Sequence, residues 1–209
     1  MTGSIAVPTN ARSRRTRVAL LDAARALLEE HGPAALTMAG TAERAGGSRR
    51  SVYLHFATRA DLLMALYDHV YEAEGLGDSL RPALTAPDPV TALDEFAAHL
   101  GRMRPRVRAV ATAIQQQRRS DPDFAAHWDV VARDQRGTCR HLIEALHREG
   151  LLADSWTVAS ATDMLWALMS GDLADNLTIE RGWSIGKYAD HMATLMRAVF
   201  VAEATPGRS

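Results

Sequence analysis

Hydrophobic residues recur along the chain with the spacing of α-helices, and no segment shows the sustained alternation that is typical of a β-strand. From about Arg14, apolar residues through Leu28 lie three or four positions apart. Gly32 and Pro33 then follow in the order that commonly ends a helix. The pattern predicts an all-α fold that begins with an amphipathic helix.

Capping residues divide the next stretch into three further helices. Thr37 is predicted to cap one short helix and Ser48 a second, with a glycine pair at residues 46–47 between them. Thr58 and Asp61 have the form of a capping box, with Asp in place of the usual Glu, and open a longer helix. The spacing therefore predicts two short helices followed by one longer helix.

Glycines and prolines between residues 75 and 88 mark the best candidate for a domain boundary. They divide the chain into a flexible basic arm over 1–13, a small domain over 14–75 and a larger helical domain over 76–209. In the larger domain Pro105 is expected to interrupt the helical pattern, and Ser155 and Ser184 are candidate N-caps. The helices predicted there cover 89–103, 106–119, 122–148, 155–180 and 184–203.

Charge is distributed unevenly along the chain. Residues 1–60 hold nine Arg and four acidic residues, a net charge of +5, whereas the whole chain has 24 Lys+Arg, 25 Asp+Glu and a net charge of -1. The rest of the chain therefore carries a net charge of −6. A basic end on an acidic body favours a polyanionic partner for the N-terminal part, although a solvated basic tail would have the same composition.

Composition excludes several other classes of protein. At 47% hydrophobic residues, the 209-residue chain can bury a core and is not a disordered tail. Cys139 is the only cysteine, which excludes an intrachain disulfide and a multi-cysteine metal site. No apolar run is long enough for a membrane span or a secretory signal, so we expect a cytoplasmic protein.

Residues 37–56 have the spacing of a helix-turn-helix motif. Ala42 is small enough to let two short helices cross closely, and Gly46 tolerates the left-handed backbone of a tight turn. Val52 is placed to face inward from the second helix, with Phe56 behind it. Such a motif lays its second helix in the major groove of DNA.

Taken with its flanks, the region from 14 to 66 resembles the N-terminal domain of TetR-type transcriptional repressors. The resemblance covers about a quarter of the chain. It implies a homodimeric DNA-binding regulator that a small apolar ligand releases from a palindromic operator. The matching stretches are Leu21–Ala24, Glu30–Gly32, Ala42–Gly46, Ser48, Val52–Phe56 and Thr58–Leu63.

Two residues depart from the pattern of this family. Thr41 stands where a β-branched apolar residue is usual, and Gly47 stands where Val is usual. Thr41 would weaken a hydrophobic staple with Leu36, and a glycine costs up to about 1 kcal/mol in or beside a helix. We therefore expect a softer motif. The alternative that these departures leave open is a helical ligand-binding or interaction protein whose motif has lost DNA binding.

The resemblance also implies a set of DNA contacts. Arg49, Arg50 and Ser51 would open the recognition helix and reach base edges, where arginine pairs with guanine. Tyr53 and His55 would bind phosphates, although the first could instead pack between helices and the second could be solvated. The predicted set is Thr37, Ser48, Arg49, Arg50, Ser51, Tyr53, His55 and Arg59.

Further candidates for binding the DNA backbone lie at the ends of the motif and in the segment before it. Thr37 and Arg59 each lie beside a predicted helix N-terminus, where the backbone N–H groups favour a phosphate. The arginines that precede the motif would either follow the DNA or belong to a disordered tail. They are Arg12, Arg14, Arg15 and Arg17.

The larger domain is expected to hold the dimer interface and a ligand site. The predicted helices over 155–180 and 184–203 carry apolar stripes that suit a four-helix dimer bundle, as the resemblance implies, or an ordinary intrachain core. An effector pocket is implied among the middle helices, with His99, His127 and Asp172 expected nearer the surface. The pocket candidates, each of which could be plain core, are Phe96, Met103, Ile114, Gln117, Trp128, Val131, Trp166 and Met169.

The sequence lacks the patterns of catalytic and metal sites. His141 and Glu144 share a helix face, but the second Glu-x-x-His copy that a carboxylate-bridged metal pair needs is missing. No glycine-rich phosphate loop and no Gly-x-Ser-x-Gly turn occurs. We therefore predict neither an enzyme nor a metal- or cofactor-binding protein.

Overall fold

The computed structural model describes residues 10–118 and 121–202, without the side chains of Asp123 and His127. Within these ranges the chain is helical, and the one β-type pairing there is an isolated antiparallel bridge. The predicted all-α fold is confirmed.

Contacts within the chain divide it into two compact units. The first comprises residues 1–74 and 107–128, and the second comprises 75–106 and 129–209. Two long helices contribute residues to both units. The hydrophobic pattern contained no signal that would group 107–128 with the N-terminal residues.

In the first unit, α-helices of very different length each begin at a side-chain cap. The first helix begins about three residues before its predicted start, because Asn10 Oδ1 accepts a 2.7 Å hydrogen bond from the N–H of Ser13. Residues 1–9 of the predicted arm lie outside the described part of the chain. The helices are α1 (Ala11–His31), a 3₁₀ turn (Pro33–Ala35), α2 (Met38–Arg44), α3 (Arg49–Tyr53) and α4 (Arg59–Ala73).

The helices after residue 75 are on average longer than those before it. The predicted bounds of the helix over 122–148 are confirmed, and Ser184 caps the last helix as predicted by accepting a 3.1 Å hydrogen bond from the N–H of Lys187. The helices are α5 (Leu76–Leu84), α6 (Pro89–Gln117), α7 (Pro122–Arg148), α8 (Val158–Leu168), α9 (Gly171–Asp175), a π-helical turn (Asn176–Glu180) and α10 (Ile185–Phe200).

Two prolines that were expected to interrupt helices lie inside them instead. α6 continues through Pro105, and the predicted junction around Pro82 contains α5. A proline in a helix interior costs about 3 kcal/mol, because it lacks an N–H and crowds the preceding turn. Both prolines are exposed, and the buried residues Leu100 and Val107 on either side of Pro105 provide packing that opposes this cost.

The helix predicted over 155–180 is also wrong in two respects. It is interrupted, because α8 ends three residues before α9 begins at Gly171. Its N-cap is Thr157 and not Ser155, since Thr157 and Ser160 form a reciprocal capping box. Serine in the place of the usual Glu or Gln made this box hard to recognise in the sequence.

Each unit has its own buried apolar core. In the first unit Leu20, Val52 and Leu62 bring together α1, α3 and α4. In the second unit Phe96 and Leu165 belong to a larger core that draws on α5 through α10. In the described ranges, none of the helices combines the length and the hydrophobicity that a membrane span requires.

Candidate nucleic-acid interface

The helix-turn-helix motif, formed by α2 and α3, is held at the start of each helix by a side-chain cap. Thr37 Oγ1 accepts a 2.9 Å hydrogen bond from the N–H of Gly40, and Ser48 Oγ accepts one of 3.2 Å from the N–H of Ser51. Between the helices the backbone passes through Gly46, whose φ of +67° is left-handed. The predicted caps and turn are confirmed.

The inner face of the motif is apolar except at one hydroxyl group. Ala42, Val52 and Phe56 are buried, as the motif predicts. Thr41 is fully buried, and its Oγ1 has no hydrogen-bond partner in the described part of the chain. A buried polar group without a partner costs about 1–3 kcal/mol. Thr41 therefore disfavours the folded motif through its unpaired hydroxyl.

The outer face of the motif presents Arg49, Arg50 and Tyr53 to solvent. Tyr53 is 43% exposed, and both arginines are exposed as well. The guanidinium carbon of Arg49 lies 5.7 Å from the centroid of the Tyr53 ring, within range of a cation–π contact. Neither arginine forms an ion pair with any residue that the structure describes.

Two other arginines of the first unit, Arg25 and Arg44, are already paired with carboxylates. Arg25 pairs with Glu29 and Glu74 at 2.7 and 2.8 Å. Arg44 forms a bidentate ion pair with Glu30, and these hydrogen bonds hold the pKa of Glu30 below its usual value. The contrast leaves the charges at the start of α3 available to a polyanion.

Two residues of the predicted contact set, His55 and Arg59, are at least partly buried and not fully exposed to solvent. His55 is buried, and burial lowers its pKa, with Arg17 acting in the same direction. Arg59 donates hydrogen bonds of 2.7 Å from Nε to the carbonyl of Leu36 and from Nη2 to that of Pro33. The phosphate contacts of His55 and Arg59 remain predictions.

Arg17 does not belong to the arm but lies within α1 and contacts the end of the motif. Its Nη1 donates a 3.1 Å hydrogen bond to the carbonyl of His55, and its guanidinium carbon lies 4.5 Å from the centroid of the Phe56 ring. Burial lowers the pKa of Arg17, whereas nearby Asp68 raises it. The sequence carried no signal for this contact, because every residue has a backbone carbonyl that could accept it.

Comparisons with known proteins bear on the same region. The family model described as bacterial regulatory proteins of the tetR family matches residues 20–66, which include the whole motif. TtgR, an HTH-type transcriptional regulator of Pseudomonas putida, is 34% identical over 85 residues, or 41% of this chain and 39% of that protein. LfrR, an HTH-type transcriptional repressor of Mycolicibacterium smegmatis, is 28% identical over 158 residues, or 74% and 76%. These matches identify residues 20–66 as a region that is similar to the DNA-binding part of the tetR family.

Structural likeness to solved proteins extends beyond the motif and concerns the fold. The SmeT–triclosan complex, from the repressor of a Stenotrophomonas maltophilia multidrug efflux pump, matches with a TM-score of 0.69 at 22% identity. The match covers 92% of this chain and 96% of that one, and it shows a shared fold. The proteins that the chain resembles in sequence and in fold are DNA-binding transcriptional regulators and not enzymes.

The residues predicted to line an effector pocket are distributed over both units. Phe96 is buried in the core of the second unit, and Met103, Trp166 and Met169 pack partly buried against the same core. Val131 is half-buried in that unit. The other candidates belong to the first unit and are Ile114, Gln117 and Trp128. The pocket remains a prediction.

One polar residue of the second unit lies where it was not expected. His99 is buried and not near the surface. Its Nδ1 lies 3.1 Å from Oγ of Ser79, a residue of α5, and the sequence pattern did not predict this helix. Burial lowers the pKa of His99 to about 4, and Arg102 adds to the shift. Asp172 is exposed as expected, and the side chain of His127 lies outside the described residues.

The apolar stripe predicted on the last helix separates into two faces. Tyr188 and Met192 of α10 are buried in the core of the second unit, which is the intrachain alternative for these positions. Ile185 and Leu195 of the same helix are 37% and 40% exposed, and Met164 of α8 is 41% exposed. The exposed face is the part of the stripe that is available to a partner.

Proposed function

We propose that the protein is a ligand-responsive repressor that binds a palindromic operator as a homodimer. The observation that carries this proposal is the pair of exposed arginines without ion pairs, Arg49 and Arg50, at the start of α3. Arginine can donate two parallel hydrogen bonds to O6 and N7 of guanine, an arrangement worth about 1–3 kcal/mol against a wrong base. These two residues are the proposed base contacts.

Hydroxyl groups around the same helix are the proposed phosphate contacts. The oxygens of Thr37 and Ser48 accept hydrogen bonds as caps, which leaves each O–H free to donate to a phosphate oxygen. Tyr53 presents its ring on the exposed face of α3, and Ser51 lies beside the two arginines in sequence. Such contacts fix the register of the protein on DNA without reading its sequence.

The exposed apolar residues of α8 and α10 support a homodimer. Met164, Ile185 and Leu195 are large, apolar and accessible, and a symmetric dimer would bury them. Two copies of α3 would then read half-sites about one turn of DNA apart. A palindromic operator follows from this symmetry.

An apolar effector is supported by the half-buried Met103, Trp166 and Met169 of the second unit. The structurally similar SmeT was solved in complex with triclosan. A ligand of this kind releases the operator only if it binds the DNA-free conformation more tightly than the DNA-bound one.

Footprinting on DNA that flanks the gene, over a series of salt concentrations, tests operator binding. We expect a protected palindrome and a steep fall of affinity with salt. Arg50→Ala should relax the base preference at one position in each half-site, whereas Arg44→Ala, which removes an arginine already paired with Glu30, should leave it intact. Absence of protection at low salt would favour the alternative of a ligand-binding protein whose motif no longer binds DNA.

Triclosan is a suitable first probe of ligand release. At saturating triclosan, the protein concentration for half-maximal operator protection should rise. Trp166→Ala should reduce that rise without changing operator affinity in the absence of ligand. An unchanged midpoint with triclosan would remove this class of apolar biocide from the proposed effectors.

A further inference from the structure

We propose that two arginines outside the motif, Arg17 and Arg59, position the recognition helix by holding backbone carbonyls at the two ends of the motif. The first belongs to α1 and the second is the first residue of α4. This inference rests on the proposed function in one respect, the reading of bases by α3. It adds two positioning residues that do not themselves touch bases.

Arg59 holds the entrance to the motif. Its Nε and Nη2 each donate a 2.7 Å hydrogen bond, to Leu36 and to Pro33, and the guanidinium is partly buried. Leu36 is fully buried and directly precedes Thr37, the N-cap of α2. The planar fork of arginine binds both carbonyls at once, so the start of α2 is fixed relative to the start of α4.

Arg17 holds the exit from the motif. The carbonyl of His55 lies just beyond the last turn of α3, where helix carbonyls lack partners within the helix, and Arg17 Nη1 donates to it at 3.1 Å. The guanidinium also lies over the ring of Phe56, which is itself buried. A hydrogen bond and a cation–π contact therefore join α1 to the end of the recognition helix.

Apart from the packing of its buried apolar residues, such as Val52 and Phe56, the motif has few means of fixing its own orientation. α3 has five residues, which is far below the length at which a helix is stable by itself. The motif also contains the unpaired hydroxyl of Thr41 and the flexible Gly47. Contacts from neighbouring helices must therefore help to orient the motif, and the two arginines do so at its two ends.

A positioning role and a phosphate-binding role predict different responses to salt. Loss of one phosphate contact reduces the slope of log affinity against log salt by about 0.9, on any DNA sequence. Loss of an arginine that only holds carbonyls of the protein backbone leaves this slope unchanged but misplaces the side chains that read bases. The ratio of operator binding to binding of a scrambled duplex should then fall.

The experiment compares Arg17→Ala and Arg59→Ala with the wild type on the operator and on a scrambled duplex of equal length. Each variant should weaken operator binding about tenfold or more, as expected for loss of a hydrogen bond from a charged donor. Binding of the scrambled duplex and the salt slope should stay near wild type. Arg44→Ala serves as the control for the loss of one positive charge, and circular dichroism checks that each variant is folded.

Lysine variants separate the two roles further. Lysine binds a phosphate well as a point charge but cannot span two carbonyls as the guanidinium fork does. Arg59→Lys should therefore lie between the wild type and Arg59→Ala, whereas a phosphate contact would be restored almost fully. The lysine variants also carry the test if either alanine variant fails to fold.

Two results would overturn the proposal. One is an unchanged ratio of operator to scrambled binding in both alanine variants, and the other is a salt slope reduced by about one with equal loss on both duplexes. If the wild type itself shows no operator preference, the proposed function fails, and amide hydrogen exchange of the free protein decides this inference alone. Exchange across 38–56 should then rise in Arg17→Ala and Arg59→Ala but not in Arg25→Ala, because Arg25 pairs with Glu29 and Glu74 outside the motif. The absence of a rise in the first two variants would count against the proposed positioning role.

Discussion

In the helix-turn-helix motif, the hydrogen bonds that cap the helices join residues three positions apart, as between Thr37 and Gly40. In the second unit, Arg104 Nη2 binds the Asp175 carboxylate at 2.7 Å across 71 positions, and Trp156 Nε1 donates to the carbonyl of Val199 across 43. The motif therefore gets its shape from local signals, whereas the second unit gets its shape from contacts between distant helices.

The same difference appears in how the two regions use arginine. Arg49 and Arg50 of the motif are exposed and pair with no described carboxylate. Arg104 of the second unit is only 11% exposed and is committed to Asp175. An arginine kept without a partner serves binding, and one that is enclosed with its partner serves the fold. Removal of an enclosed arginine of the second unit should thus act mainly on stability.

Acid should destabilise the second unit more than the loss of any one of its ion pairs. The pKa of His99 falls from 6.5 to about 4 on folding, mainly through burial. Because the folded state disfavours the protonated form, the free energy of unfolding should decrease as pH falls from about 6.5 to about 4. The expected loss is about 3 kcal/mol, at about 1.4 kcal/mol per pH unit, with no further loss from this residue at lower pH.

Urea unfolding at several pH values measures this effect. His99→Gln should lower stability at pH 7 but flatten the pH dependence between 6.5 and 4. Exposed His141 provides the matched control, because His141→Gln should leave the profile of the wild type in place. Equal slopes in wild type and His99→Gln would show that His99 does not govern the acid response.

Removing Arg104 should destabilise the second unit by about 2 kcal/mol. Asp175 would be left partly buried without its partner, and breaking a buried pair in this way is far more costly than breaking an exposed one. Arg140→Ala is the control, because Arg140 and Glu144 form an exposed pair four positions apart whose loss should cost less than about 0.5 kcal/mol. Thermal unfolding of both variants gives the comparison, and equal losses would contradict the distinction drawn between the two arginines.

The sequence predicted the motif well because its signals are local. Thr37, Ser48 and Gly46 perform the predicted roles, since caps and left-handed turns depend on residues a few positions apart. The interruption after α8 and the burial of His99 could not be foreseen, because both depend on which distant residues pack together. The contact of Arg17 with His55 and Phe56 could not be foreseen for the same reason.

Replacing Thr41 by valine should stabilise the motif by about 1 kcal/mol. The two side chains are close in shape, and valine removes a buried hydroxyl that has no partner among the described residues. Thr162 provides the control, because its hydroxyl donates a 2.7 Å hydrogen bond to the carbonyl of Val158, so Thr162→Val should not stabilise the protein. Hydrogen exchange of α2 and α3 reports the change locally. Faster exchange in Thr41→Val would indicate that the hydroxyl has a favourable contact after all.

Adjacent glycines in the turn of the motif should respond to alanine with opposite signs. Gly46 has a φ of +67°, and a side chain in this left-handed region costs about 1 kcal/mol. Gly47 has no such φ, and an added Cβ would lie 3.8 Å from the nearest atom, in ordinary contact. Gly47→Ala should therefore stabilise the motif by about 0.5 kcal/mol, because alanine restricts the unfolded chain. Hydrogen exchange of α2 and α3 should rise in Gly46→Ala and fall in Gly47→Ala, and a change of the same sign in both would contradict the difference that the backbone angles of the two glycines indicate.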